Sequence, residues 1–353
     1  MFCRIIACVL AFFLGQQARA ETQNDPARVL IVVSGYGLDG GKTRPGFEMD
    51  ELSQAYLIFY DNGLSVDIAS PAGGAVVADA FDPDKPYNQR FMADSEARTK
   101  LDTTLSLASL REEPYQAVFI IGGKGAMFDL PVDTNLKAIL GATYEAGGVV
   151  SAVCHGPAAL MNVPLTNGAG LLNGRAVTGF SNEEEALFGK HWASAFPILL
   201  EDGLRGAGGQ FSQAPMMLSH VVSDARVVTG QNPSSTSDTA EAALKAMGRH
   251  PAPRELFADE RSLQLVGLIL NGDGVKAREL LAADPAGFDV PLIAIWGHYH
   301  AQMPGADRKI LTEAVDVMEA ARLYYDAPEL TASIADARSR INALTVAVSG
   351  GGN

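Results

Sequence analysis

The stretch GGVVSAVCHGPAAL, Gly147 to Leu160, decides the fold. Val149 to Val153 is a run of small and apolar residues of the kind that forms a strand buried on both faces, and Pro157 with its following alanines opens a helix. Cys154 and His155 therefore occupy a sharp strand-to-helix turn. Outward from this turn the same signals alternate. RVLIVVS (Arg28 to Ser34), LSVDIAS (Leu64 to Ser70) and QAVFIIGG (Gln116 to Gly123) read as buried strands. DELSQAYLIFYDNG (Asp50 to Gly63, stopped by its glycine), Asn135 to Glu145 and SSTSDTAEAALKAM (Ser234 to Met247) read as helices, with RAVTGF and HVVSDARVVTGQ between the last two. Strands alternating with helices predict a mostly parallel sheet covered on both faces, a flavodoxin-like three-layer α/β/α sandwich with sites at the carboxyl ends of its strands.

The periphery differs in texture. MFCRIIACVLAFFLGQQARA, residues 1–20, carries a basic start, an apolar run and an Ala-Arg-Ala cleavage pattern, which reads as a secretory signal. The expected domain plan is a signal peptide over 1–20, a catalytic domain over 21–250 and a helical extension over 251–353. Pro71 to Leu110 loosens into a Gly-, Pro- and Asp-rich loop long enough to serve as a lid, followed by a helix. After His250 the chain reads as helices, Ile310, Ala314, Val317 and Ala321 making one apolar face, and VSGGGN reads as a disordered tail. Those apolar faces suit a homodimer contact or a cover over the site.

Charge and cysteine content narrow the function. The formal charge of −14 becomes −16 once the signal and its two arginines are removed, with no cluster of Lys and Arg, which argues against nucleic acid or an anionic membrane as partner. No later segment reaches the roughly 18 uncharged apolar residues of a membrane span. Signal removal also takes Cys3 and Cys8, so Cys154 remains as a lone thiol that cannot form an intramolecular disulfide. A cysteine on such an elbow stands clear of its neighbours, beside backbone N–H groups that can hold developing negative charge, and a helix dipole and imidazole would favour its thiolate. Residues i and i+1 do not ordinarily face the same way, so the Cys154–His155 geometry is open at this level.

Five blocks in order, GFEMDEL (Gly46 to Leu52), IIGGKGAMFDL (Ile120 to Leu130), AVCHGPA (Ala152 to Ala158), VTGFSNEEE (Val177 to Glu185) and VVTGQNPSST (Val227 to Thr236), resemble the ThiJ/PfpI superfamily, and within it the heat-shock-chaperone and glyoxalase III branch. The resemblance implies Cys154 as nucleophile, His155 as its histidine, Glu48 as the carboxylate near the thiol, and Glu185 as the acid orienting the histidine, with Glu183 and Glu184 as rivals. It also implies an oxyanion pocket from the N–H groups of Gly122, Gly123 and His155. Ile121 and Lys124 stand where many relatives carry proline and histidine. The activity implied is glutathione-independent conversion of methylglyoxal, a small reactive aldehyde, to D-lactate, with no metal or organic cofactor.

Other classes compete. A PfpI-type peptidase would use the same Cys-His-acid groups, a holdase would bind unfolded proteins, and a redox sensor would cycle Cys154 through sulfenic acid. A glutamine amidotransferase is excluded by the lack of a downstream His-x-Glu. Glu48 could alternatively cap a helix start, and the glutamate run could be a solvated helix turn. GHYH (Gly297 to His300) suggests metal, but on a helix His298 and His300 would point apart.

Overall fold

A computed structural model describes residues 27–110 and 115–350, with side chains to residue 345. The expected signal peptide lies outside the described residues. Nine strands are formed: β1 (Arg28–Val32), β2 (Ser65–Ser70), β3 (Leu105–Ser106), β4 (Ala117–Ile120), β5 (Val149–Val153), β6 (Ala176–Val177), β7 (Gln210–Phe211), β8 (Val221–Asp224) and β9 (Val227–Gly230). Seven build one sheet in the order β3-β2-β1-β4-β5-β9-β8, all pairs parallel except the β8–β9 hairpin at one edge. Taken in chain order, the parallel strands β2-β1-β4-β5-β9 follow the flavodoxin order 2-1-3-4-5, whose connection reverses direction between β1 and β4. The crevice at that reversal is where the carboxyl ends of β1 and β4 release their loops. Strands β4 and β5 are buried along their full length, which is why they read as continuous apolar runs.

The α-helices are α1 (Met49–Asp61), α2 (Pro86–Ala93), α3 (Ser95–Asp102), α4 (Thr134–Glu145), α5 (Asn182–Phe188), α6 (Leu200–Gly206), α7 (Thr236–Ala246), α8 (Ala258–Leu270), α9 (Gly274–Ala283), α10 (Val290–Ala301), α11 (Arg308–Arg322) and α12 (Pro328–Gly350). Helices α1 and α7 pack together on the sheet, and right-handed crossovers running in opposite directions from the switch point put α1 and α4 on opposite faces. Helix α1 ends where the sequence predicts, at Asn62 and Gly63, the latter with φ +74°.

Two local expectations change and a third is refined. The run after Cys154 is a five-residue 3-10 turn, Gly156–Leu160, rather than an α-helix, because Met161 is extended, Asn162 adopts φ +57° and Pro164 follows. Residues 71–110 hold α2 and α3, and the irregular part before them is strapped inward: Asp79 N–H donates to Phe47 O (3.0 Å), and Gly46 N–H donates to Asp79 Oδ1 (2.6 Å). Helix α12 continues through Val348 to Gly350, into the segment expected to be a disordered tail, since no breaker interrupts the preceding run.

Helices α8 to α12 have their own apolar core, in which Trp296, Leu311, Val317 and Met318 are fully buried. Ala314, Val317 and Ala321 face inward as the 3.6-residue period predicts, with Ile310 half-buried. This second core is joined to the first: Met216 belongs to it, and Phe188 packs against both. Among the described residues, no helix is long and apolar enough to cross a membrane.

Candidate active site

Cys154 stands at the end of β5 with φ +59°, a left-handed conformation that costs a non-glycine residue roughly 1–3 kcal/mol and persists only where the surroundings enforce it. They do so from three sides: Cys154 N–H donates to Gly230 O at the end of β9 (3.0 Å), Phe180 N–H donates to Cys154 O (2.9 Å), and Gly122 abuts the turn. A Cβ on Gly122 would lie 2.7 Å from both Cys154 Cβ and His155 N, so glycine alone permits this approach. The strained turn also settles the neighbour question. It swings the two side chains to one side, leaving Cys154 Sγ 3.3 Å from His155 Nδ1.

The other imidazole nitrogen, Nε2, is 2.8 Å from Glu185 Oε2, and His155 stacks on Phe180 with ring centroids 4.5 Å apart. Thiol, imidazole and carboxylate thus form a chain of three, with the ring held edge and face. Local capping explains why Glu185 is the acid. Ser181 and Glu184 form a capping box at the start of α5, Ser181 Oγ accepting from Glu184 N–H (3.2 Å) while Glu184 Oε2 accepts from Ser181 N–H (3.3 Å). Glu184 also accepts from Met217 N–H, Asn232 Nδ2 and Gln231 Nε2. Its carboxylate is thereby spent on structure, and Glu185, one step around the helix, reaches His155.

The carboxyl against the thiol is Glu51, not Glu48. Glu51 sits in the first turn of α1 on the same buried face as Ala55, Ile58 and Phe59, and is itself fully buried. Its Oε2 accepts from Gly122 N–H at 2.7 Å, and the carboxyl lies against the Cys154 thiol. Burial pushes the Glu51 carboxyl well above the usual carboxylate range, and burial followed by the Glu51 charge pushes the Cys154 thiol up as well. The help that the elbow was expected to give the thiolate is opposed here by burial. The 3-10 turn offers little helix dipole, and desolvation outweighs the Gly123 N–H, which favours thiolate.

Glu48 occupies the N-cap position of α1 but makes no capping hydrogen bond; it is half-buried and lines the same cavity as the thiol. Burial, then the charges of Asp50 and Asp79, push its pKa up to about 8, against an opposing effect of Lys124. The expected oxyanion pocket changes too. Gly122 N–H is committed to Glu51, which leaves Gly123, at φ +86° and packed so tightly that a Cβ would lie 2.6 Å from Glu48 N, as the glycine whose N–H faces the sulfur.

These groups open onto a cavity of about 250 Å3. Cys154 is only 3% exposed, yet its side chain forms part of the cavity wall together with Glu48, Gly123 and His155. The remaining wall includes Lys124 and brings in residues the sequence did not single out, among them Asp79, Phe188 and Met217. The GHYH histidines lie elsewhere and apart, His298 on Ser333 (2.8 Å) and His300 on Glu313 (3.2 Å).

A doubly wound sheet presenting cysteine on a strained elbow, backed by histidine and two buried glutamates, defines an α/β protein of the cysteine-nucleophile class. The chain belongs to the DJ-1/PfpI family, whose model matches residues 43–246. It is similar to the glutathione-independent glyoxalase hsp3101 of Schizosaccharomyces pombe, 33% identical in an alignment 242 residues long that covers 62% of this chain and 95% of that protein. Among solved structures it resembles Rapid Encystment Protein 24 kDa of Francisella tularensis, at 33% identity and TM-score 0.58 over 63% of this chain and 99% of that one. Glyoxalase III from Candida albicans matches at 27% identity and TM-score 0.57, covering 62% and 97% of the two chains. The family match ends before α8, so the helical extension lies outside it.

Proposed function

We propose that the protein is a glutathione-independent glyoxalase that converts methylglyoxal to D-lactate. The observation carrying this reading is the convergence of Cys154, Glu51 and the His155–Glu185 pair on one small cavity. The relatives named as glyoxalases support it. Burial raises the pKa of both Glu51 and Cys154, and the reaction is taken to start from acid and thiol, the nucleophile forming at the moment of attack: the thiol proton passes to His155 Nδ1, 3.3 Å from the sulfur, and Glu185 stabilises the resulting imidazolium. The sulfur adds to the aldehyde carbon, and the new alkoxide takes a proton from Glu51, giving a hemithioacetal. The Glu51 carboxylate then removes the C1 proton while His155 protonates the C2 oxygen, giving an enediol. His155 takes up the C1 hydroxyl proton as Glu51 returns its proton to C2, which yields the lactoyl thioester of Cys154 and leaves His155 protonated. Water cleaves that thioester to D-lactate and free thiol, the acid proton of the product returning to Glu51. The thiol of glutathione, which would otherwise supply the sulfur, is replaced by Cys154.

Incubation of the purified protein with methylglyoxal in thiol-free buffer tests this, with D-lactate read by a stereospecific dehydrogenase and a set of fluorogenic peptides as counterpart. D-lactate formation with uncut peptides is expected. Peptide cleavage without D-lactate would transfer the site to the peptidase reading. Export belongs to the same proposal, resting on the composition of residues 1–20; mass spectrometry of exported protein should give Glu21 as its first residue, and an uncleaved Met1 would reject it.

A further inference from the structure

The proposed reaction needs a second base, and the groups that isomerise the substrate are poorly suited to the last step. Glu51 is sealed beneath the sulfur with Oε2 held by Gly122 N–H, and both nitrogens of His155 are engaged, by Cys154 and Glu185. Of the other carboxylates on the cavity wall, Glu184 is saturated by four partners around α5, and Asp79 accepts from Gly46 N–H. Glu48 differs. No side chain among the described residues hydrogen-bonds its carboxyl, which leaves the helix N-terminus uncapped and faces the cavity instead. Its backbone is pinned to the loop that abuts the thiol, Glu48 N–H donating to Gly122 O at 3.3 Å and Gly123 packing against Glu48 N.

We infer that Glu48 is the hydrolytic base: its carboxylate takes a proton from the water that attacks the thioester carbonyl on Cys154 from the cavity that both residues line. The C–S bond breaks, the electron pair returns to sulfur, and the thiolate is reprotonated by His155, while the proton on Glu48 leaves to solvent through the cavity mouth. No oxidant, reductant or metal enters the balance. The division of labour assigns carbon–hydrogen chemistry to the buried glutamate and carbon–sulfur cleavage to the half-buried one. The inference rests on the glyoxalase reading.

Glu48→Gln tests it. Steady-state D-lactate formation should fall by about 10²-fold or more, the usual loss on removing a positioned base, while thioester formation persists. Hemithioacetal and lactoyl thioester have the same mass, so mass alone does not distinguish them. The protein is therefore mixed with methylglyoxal, desalted to let the reversible hemithioacetal dissociate, and divided. One half, by intact mass and peptide mapping, should retain one methylglyoxal mass on Cys154; the other, treated with hydroxylamine, should release lactohydroxamate. Wild-type protein should show neither. Reduced turnover with no trapped thioester would overturn the inference by placing Glu48 before the thioester, as would wild-type turnover. Glu48→Asp, which keeps the carboxylate, should restore part of the turnover and hydrolyse the trapped species; if it behaves as Glu48→Gln does, the assignment fails. Absence of D-lactate from wild-type protein would instead reject the underlying reading.

Discussion

At the scale of single residues, two glutamates three positions apart do different things because α1 turns one inward and leaves the other at its mouth. The sequence motif GFE drew attention to Glu48, but the more informative signal was periodic. Glu51 falls on the stripe of Ala55, Ile58 and Phe59, and a carboxyl placed on the buried face of a core helix demands a partner. In the same way, the spacing Ser181-x-x-Glu184 is a capping box, and reading it as one separates Glu184 from Glu185 without coordinates. The pairing of Cys154 with His155 was not legible, because it depends on a left-handed φ that a cysteine adopts only under tertiary constraint. Glu51→Gln should reduce D-lactate formation by about 10²–10⁴-fold, the range for loss of a positioned acid–base group. It should also lower the pH at which Cys154 becomes alkylated by iodoacetamide, since the contact of the Glu51 carboxyl with the thiol favours the protonated sulfur. A rise in that pH, or full activity, would show that the carboxyl against the sulfur has another role.

At the scale of elements, strands were legible and the turns between them less so. Strands β1, β4 and β5 announced themselves because parallel strands buried on both faces must be apolar throughout. The segment after Cys154 carried a helix signal, Pro157 and alanines, but tertiary packing limited it to a 3-10 turn. That shortening matters chemically, as it withdraws the dipole expected to stabilise thiolate and leaves deprotonation to His155. The elbow itself depends on the β4 loop lying flat against it. In Gly122→Ala the new methyl would meet backbone, not a flexible side-chain end, at 2.7 Å. Overpacking of this kind costs about 1–3 kcal/mol, and a displacement of the sulfur near 1 Å costs about 10²-fold in rate. Urea unfolding and D-lactate assays should show both losses together; a variant with unchanged midpoint and turnover would mean that the loop does not set the elbow.

For the whole molecule, the helical extension is built into the catalytic domain and is not a bead on a tether. The amphipathic period of α11 showed that a face would be buried, but not against what, because periodicity carries no partner identity. The contacts answer this. Trp296 on α10 is fully buried and its Nε1–H donates to Met216 O at 2.9 Å; Tyr299 packs edge-on against Phe188 at 4.9 Å; and Tyr87 OH bonds Asp259 of α8 at 2.9 Å. Phe188 and Met217, which touch this layer, also line the cavity. Trp296→Ala should therefore cost about 3–5 kcal/mol and unfold the chain in a single cooperative transition, with glyoxalase activity falling alongside. Two separate transitions, with activity surviving the first, would show the extension to be an independent module.

The claim on which the whole account turns is that the Cys154 sulfur bonds to the substrate carbonyl. Comparing D-lactate production from methylglyoxal by wild-type protein and Cys154→Ala, in buffer free of glutathione and other thiols, tests it most directly. Turnover by the wild type and none above background by a folded Cys154→Ala is the expected result. D-lactate formed by the alanine variant at a rate near wild type would contradict it.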